Sequence, residues 1–417
     1  MYALNDVKSL DALVSDMDTR KIVMLGEASH GTHEYYHWRT AISKRLIEEK
    51  KHRFIAVEGD WPDCYKINRF IKGYPDAGDN IYTVLDHFDR WPSWMWANEE
   101  VAELAEWLRD YNRRLPTNEK IGFYGLDVYS LWDSINEITE HLGKTDAEAA
   151  QYVKKAATCF EPFNENEQLY ARHSLHAGCR DELIALLKKI QADARITYGD
   201  PEAVFNTEQN ALVALNAEHY YSNMVGFDNQ SWNIRDRHMM ETLKRLMEFH
   251  GPAAKGIVWA HNSHIGDARA TNMSRAGMVN IGQLAREEYG AQQVQLTGFG
   301  SYRGTVIAAK EWSAPMEIME APDAQENSIE AHLHKTIGKD CYFLSGEDNG
   351  KAFQNKIGHR AIGVVYDPAW ERFSNYVPSV LSKRYDAFIF LDDTHALHPL
   401  HPQVTADKIP ETFPSGE

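Results

Sequence analysis

Short apolar runs punctuate the chain at wide intervals: Ile22–Leu25, Phe54–Val57, Ile121–Tyr124, Ile257–Ala260, Val294–Gly298, Ala361–Tyr366 and Phe388–Leu391. None alternates cleanly between apolar and polar, which is the pattern of strands covered on both faces. Between them, apolar residues recur at helical spacing, as in Thr32–Glu49 and Asn98–Arg113. Strand, helix, strand repetition predicts an α/β fold: a mostly parallel sheet with flanking helices. Residues 132–250 break the rhythm. They are rich in Ala, Leu, Glu and Lys, hold no strand-like run, and are too long for an ordinary connection. They read as a large helical insertion forming one side of a deep cleft. The expected division is therefore 1–131 and 251–401 as two parts of one α/β core, 132–250 as the insertion or lid, and 402–417 as a polar tail that frays.

The polar residues fall in a pattern of their own. Ile22–Leu25 is followed by Gly26-Glu27-Ala28-Ser29-His30, Phe54–Val57 by Glu58-Gly59-Asp60-Trp61, Ile121–Tyr124 by Gly125-Leu126-Asp127, and Ile257–Ala260 by His261-Asn262-Ser263-His264. Ligands of open α/β sheets bind outside the carboxyl ends of the strands, so these acids and histidines can converge in one pocket. Helix capping accounts for Asp127 or Ser29. It does not account for Glu27, His30, Glu58, His261 and His264 together.

Composition narrows the function classes. Of 417 residues, 43% are hydrophobic, enough for a sizeable core, and the net charge is −17. Such an anionic chain is repelled by nucleic-acid backbones. The four cysteines, Cys64, Cys159, Cys179 and Cys341, form no C-x-x-C pair, which leads us to expect reduced thiols and no thiolate metal site. The N-terminus has neither a basic segment nor a long apolar run, and no stretch reaches membrane-spanning length. The expectation is a soluble cytoplasmic protein with no membrane and no nucleic-acid partner.

Several motifs compete for the chemistry. His33-Glu34-Tyr35-Tyr36-His37 spells H-E-x-x-H, the helix-borne zinc motif of metalloproteases. Its metzincin continuation needs Gly at 40 and His at 43, where this chain has Thr40 and Ser43. Glu58, the candidate third ligand by count, follows a strand instead of lying on a second helix. The match is read as a coincidence, with no metal assigned. The run His395-Ala396-Leu397-His398-Pro399-Leu400-His401 also invites a metal, but Pro399 interrupts helical geometry and the histidines are read as surface or packing residues. A serine nucleophile elbow, G-x-S-x-G, fails at Ser29 because Glu27 stands where the first Gly belongs. There is no Walker A sequence, and Gly298-Phe299-Gly300 with Gly304 is one residue off a dinucleotide fingerprint.

Taken together, Gly26-Glu27-Ala28-Ser29-His30-Gly31 with Glu34 and Arg39, Glu58-Gly59, Gly125-Leu126-Asp127, Asn233-Ile234-Arg235-Asp236-Arg237-His238-Met239 and His261-Asn262-Ser263-His264 resemble the erythromycin esterase family in residue type and order. The run from Ala260 to Arg269 is most similar to its succinoglycan-biosynthesis-like branch. The resemblance implies an α/β sheet with a large helical portion and a deep cleft. It also implies hydrolysis of a carboxylic ester, such as a macrolide lactone whose opening confers antibiotic resistance, by water and without an acylated serine. On it, His30 corresponds to the general base, and Glu27, Arg39, Glu58, His261 and His264 to further catalytic positions. Glu34, Trp61, Asp127, Arg235, Asp236, Asp267 and Arg269 are expected to contact substrate. Either Glu27 or Glu58 can orient His30, and His261, His264 or Arg39 can hold the oxyanion. Plainer roles exist too: Arg39 pairing with an acid, Arg235 with Asp236, Asp267 and Arg269 as helix-end charges, and Trp91, Trp94 and Trp96 as core. No cofactor is expected. Two alternatives stand beside this reading: a divalent metal in the same Glu/His cleft, and a non-catalytic small-molecule binding protein.

Overall fold

The computed structural model describes residues 1–145, 148–163, 165–174, 178–192, 200, 202–224, 229–344 and 351–401; the expected fraying tail, 402–417, lies outside them. The strands are β1 (Tyr2–Ala3), β2 (Ile22–Leu25), β3 (Phe54–Asp60), β4 (Gly122–Asp127), β5 (Gly256–Trp259), β6 (Val294–Ala309), β7 (Met316–Ala321), β8 (Cys341–Leu344), β9 (Lys356–Arg360), β10 (Tyr376–Val380) and β11 (Ala387–Thr394). Nine form one sheet in the order β1-β8-β11-β6-β2-β5-β3-β4, with β7 alongside β6. The stretch from β11 to β4 is parallel, and β1, β7 and β8 run antiparallel at one side. The fold is thus α/β with a mostly parallel sheet, as the apolar runs predict.

The unbroken hydrophobicity of the central strands has a direct cause. Val23, Leu25, Ile55, Val57, Ile257 and Trp259 enter one apolar cluster; Ile22, Met24, Phe54, Ala56 and Val258 enter another on the opposite face. Successive strand residues alternate between faces, so a strand with a core on each side needs apolar residues throughout. The helices His33–Lys50 and Glu99–Asn112 cover the first face, and Gln230–Phe249 and Ile281–Tyr289 the second.

Chain direction fixes where a site can form. After β2 the chain moves toward β3 on one side, and after β5 it moves to β6 on the other, although β2 and β5 are neighbours. That reversal opens a crevice at their carboxyl ends, where Glu27, His30 and His261 emerge.

Between β4 and β5 the described residues are helical: Leu131–Thr145, Ala149–Phe160, Glu167–Ser174, Arg180–Ala192, Ala203–Asn223 and Gln230–Phe249. They build a separate apolar cluster around Trp132, Val153, Phe160, Leu186 and Tyr220. Cys159 and Cys179 are disulfide-bonded within it, which corrects the expectation of four reduced thiols; Cys64 and Cys341 are free and buried. The separation in sequence hid the pair: the helix Glu167–Ser174 lies between the two cysteines in sequence, while Ala149–Phe160 and Arg180–Ala192 pack together and bring them into contact.

Two strand expectations also change. Ala361–Tyr366 is not a ladder strand. It makes only single bridges, Ile362 with Ser29 and Val365 with Ala309, and its apolar character serves a small cluster of Ile362 and Tyr366 with Val306, Ala308 and Met319. Conversely, β6 runs far beyond Gly298. A Cβ on Gly298 would lie 2.6 Å from the Tyr385 ring, so that position inside the strand is small to admit a neighbour. No helix among the described residues is long and apolar enough to cross a membrane.

Candidate active site

The turn after β2 is shaped by close packing. A Cβ on Gly26 would lie 2.1 Å from Asn262 Oδ1, and one on Gly31 would lie 2.0 Å from the Ile307 carbonyl oxygen. The two glycines therefore let the Glu27–His30 turn lie flush against its neighbours. Inside it, His30 Nδ1 is 2.9 Å from Glu27 Oε1. The other carboxylate oxygen, Oε2, forms an ion pair with Arg39 Nη2 at 2.6 Å. Arg39 has no exposed surface; its guanidinium stands 4.4 Å from the Tyr36 ring centre and 4.7 Å from that of Trp259. Because Nδ1 is engaged with Glu27, Nε2 is the ring nitrogen left for the cleft, which His30 lines.

A second network surrounds Glu58. Arg235, on the helix Gln230–Phe249, donates from Nε and Nη2 to Asp127 at 2.9 and 2.7 Å, and from Nη2 to Glu58 Oε1 at 2.6 Å. The backbone N–H of His261 donates to Glu58 Oε2 at 2.7 Å. His264 lies between two acids: Nδ1 is 3.0 Å from Asp236 and Nε2 is 3.3 Å from Glu58 Oε1. Burial alone would depress the His264 pKa, but the charges of Asp236 and Glu58 overcome it and lift the value to about 9. The raised value favours a protonated ring, with Nδ1 bonded to Asp236 and Nε2 within ion-pair range of Glu58. Arg235 Nη1 also stands 3.1 Å from His264 Nε2; with a proton on that nitrogen, the approach is a contact between two cations that share Glu58. Burial likewise opposes ionisation of Glu58, yet His264 and Arg235 hold its pKa well below the usual range. For His261, burial and then the neighbouring His30 push the pKa well down, so its ring is neutral; Nδ1 is 2.8 Å from Ser263 Oγ.

These groups open onto a cavity of about 90 Å³ lined by His30, Glu58, Asp127 and Arg235 on the polar side and by Phe88, Trp91, Trp96, Tyr129, Trp312 and Val364 on the apolar side. Trp91 and Trp312 pack with ring centres 4.7 Å apart. Asp60 and Arg90 pair at the rim. Asp63 also lines the cavity, and burial raises its pKa.

The structure brings only part of the expected set to the cavity wall: His30, Glu58, Asp127 and Arg235. Glu27, Arg39, Asp236, His261 and His264 sit behind them, tied in by the bonds above. Of the cations and histidines named beside His30, Arg235 is the one that lines the cavity with it. Glu27, not Glu58, bonds the His30 ring, and the acid that Arg39 pairs with is Glu27. Four expected substrate contacts are elsewhere. Trp61 is in the core, stacked on Tyr65 and Tyr124, with Nε1 donating to Asn206 Oδ1 at 2.8 Å. Glu34 accepts from the backbone N–H of His395 and contacts its Nδ1, each at 2.8 Å. Asp267 caps a short 3-10 turn and holds Arg269 with two hydrogen bonds at 2.9 and 2.7 Å, so both are helix-end charges. The tryptophan cluster divides: Trp91 and Trp96 wall the cavity and Trp94 is core. The sequence reading missed Asp63, Tyr129, Trp312 and Val364. Only Tyr129, two residues past Asp127, carried a signal.

The carboxylates of the cleft are paired with cations of the chain itself, Glu27 with Arg39 and Glu58 and Asp127 with Arg235.

The chain is similar in sequence and fold to known proteins. The erythromycin esterase family model matches residues 47–394. The erythromycin esterase type II of Escherichia coli is 25% identical over 324 residues, covering 73% of this chain and 74% of that protein. Among solved structures, a succinoglycan biosynthesis protein superposes with a TM-score of 0.78 at 19% identity, covering 95% of each chain. A variant of the erythromycin esterase EreC in its open conformation gives 0.67 at 15% identity, covering 96% of this chain and 97% of the other.

Proposed function

The chain belongs to the erythromycin esterase family, and we propose from that premise that it hydrolyses a small-molecule carboxylic ester with water activated by His30. The observation that carries the reading is the line Arg39, Glu27, His30, which ends on an imidazole that lines the cavity with Nδ1 already engaged. A carboxylate on Nδ1 fixes the tautomer with its proton there, leaves Nε2 as the acceptor, and stabilises the imidazolium that forms.

In the proposed reaction, His30 Nε2 takes a proton as the water oxygen attacks the ester carbon. The negative charge that develops on the former carbonyl oxygen is met by Arg235, a cation on the cavity wall beside His30 and Glu58. Collapse breaks the bond to the alkoxy oxygen, which takes the proton back from His30, and the products are an acid and an alcohol. Serine chemistry has little support. Ser29 is bonded to Thr32, Ser263 is behind the wall and bonded to His261, and Ser93, which does line the cavity, has no histidine partner among the described residues.

The cavity bears on substrate size. Pockets for drug-sized ligands span ~300–1,000 Å³, so about 90 Å³ suits a compact ester or the ester-bearing edge of a larger molecule. A 14-membered macrolide lactone would require the Trp91–Trp312 wall to part. The test is mass spectrometry of short-chain esters and macrolides incubated with the protein. Cleavage of a short ester to acid and alcohol supports the reading. Retention of a ligand without product would favour a binding protein.

A further inference from the structure

We propose a second site, outside the cleft: a zinc site formed by His33, Glu100 and His398. Two sequence motifs the esterase reading leaves unused meet here. His33 opens the H-E-x-x-H match, and His398 is the middle histidine of the run after β11. Neither supplies a metal site alone, since the ligands come from three separated segments.

The geometry is that of a donor set drawn together. His33 Nδ1 is 2.6 Å and His398 Nδ1 is 2.7 Å from the same oxygen, Glu100 Oε1. One donor atom from each of the three residues falls within 4.8 Å of the others. Zinc bonds imidazole nitrogen and carboxylate oxygen at about 2.0–2.2 Å, so tetrahedral ligands stand about 3.3 Å apart; a separation of some tenths of an ångström admits the ion. Two histidines and one glutamate are a ligand combination zinc takes readily, with a fourth position for water.

Backbone contacts preform the site without help from the ligand side chains. His33 N donates to the His395 carbonyl at 2.9 Å, Leu397 N to the Gly31 carbonyl at 3.0 Å, Glu99 N to the His398 carbonyl at 3.0 Å, and Leu400 N to the Ala97 carbonyl at 3.0 Å. The segment after β11 is thereby strapped across the starts of the helices His33–Lys50 and Glu99–Asn112. Glu100 is in the first turn of its helix, where the backbone dipole favours its charge, and its side chain is buried while His33 and His398 reach solvent. An ion held there pins the strap to the helical turn that begins three residues past His30. The neighbouring Glu34 is committed to His395, so the site is not a protease centre.

The experiment is equilibrium dialysis of the full-length, metal-stripped protein against Zn²⁺, with bound metal counted by mass spectrometry and Tm recorded in parallel. The expected result is one zinc per chain and a Tm raised by zinc and restored by chelator. His398→Ala and Glu100→Gln should each weaken the binding by more than about 100-fold, with His334→Ala, at an unrelated His–Asp pair, keeping it. His398 is largely exposed, so its variant should keep the wild-type circular dichroism. A wild type that binds no stoichiometric zinc, or a folded His398→Ala that keeps the full equivalent, would overturn the proposal. Neither result depends on ester turnover.

Discussion

His30 Nδ1 faces Glu27 Oε1 across 2.9 Å, and the far oxygen of the same carboxylate faces Arg39 at 2.6 Å. The three residues form a line from the core to the cavity, so the state of the imidazole depends on a charge pair that solvent does not reach. Glu27→Gln keeps the size and removes the charge. It should lower kcat by about 100-fold or more while leaving KM nearly unchanged. It also leaves Arg39 buried without its partner, at a cost of roughly 3–5 kcal/mol in urea unfolding. Unchanged kcat in the folded variant would show that Glu27 only supports Arg39.

Arg235 tests the oxyanion assignment. Arg235→Lys retains a charge but loses the fork that grips Asp127 and Glu58. We expect kcat/KM to fall by roughly 10²–10³-fold. Stability should fall as well, since two buried acids lose hydrogen bonds. Wild-type kcat/KM in Arg235→Lys would move the oxyanion contact elsewhere.

His264 sets a pH dependence of stability. Its pKa rises from the ordinary value near 6.5 to about 9 in the fold. A raised folded-state value means a contribution fully present below about pH 6.5 and lost as pH climbs through 9. The wild-type Tm should therefore decline across that interval, and the decline should flatten in His264→Asn. Equal slopes in both proteins would refute the imidazolium assignment.

The size of the cavity yields a substrate prediction. Short-chain esters should exceed a 14-membered macrolide lactone in kcat/KM by roughly tenfold or more. Trp312→Ala should narrow that gap by opening the apolar wall. A wild-type preference for the macrolide would show that the wall opens on its own.

Much of this site was readable before any coordinates, for one physical reason. A buried parallel strand is apolar throughout, so the first acid or histidine after it marks the carboxyl edge of the sheet, where ligands bind. That located Glu27, His30, Glu58 and Asp127. The same logic failed for Trp61, because the residue after a strand can turn back over the sheet, and Trp61 does so to stack on Tyr124. It could not choose between Glu27 and Glu58, since that choice depends on how neighbouring strand ends aim their side chains: Glu58 is drawn to the His261 N–H and Arg235, which leaves Glu27 for His30. The strand expected at Ala361–Tyr366 failed because an apolar run reports burial, not pairing. The meeting of His33, Glu100 and His398 was illegible because hydrophobic patterning carries no information on how distant segments cross.

The most direct test of the account is turnover by His30→Asn on a short-chain ester that the wild type cleaves. With Nε2 as the proton acceptor, kcat should fall by about 10²–10⁴-fold, while Tm and ester binding stay close to wild type. A folded His30→Asn variant that retains near-full kcat would contradict water activation by His30.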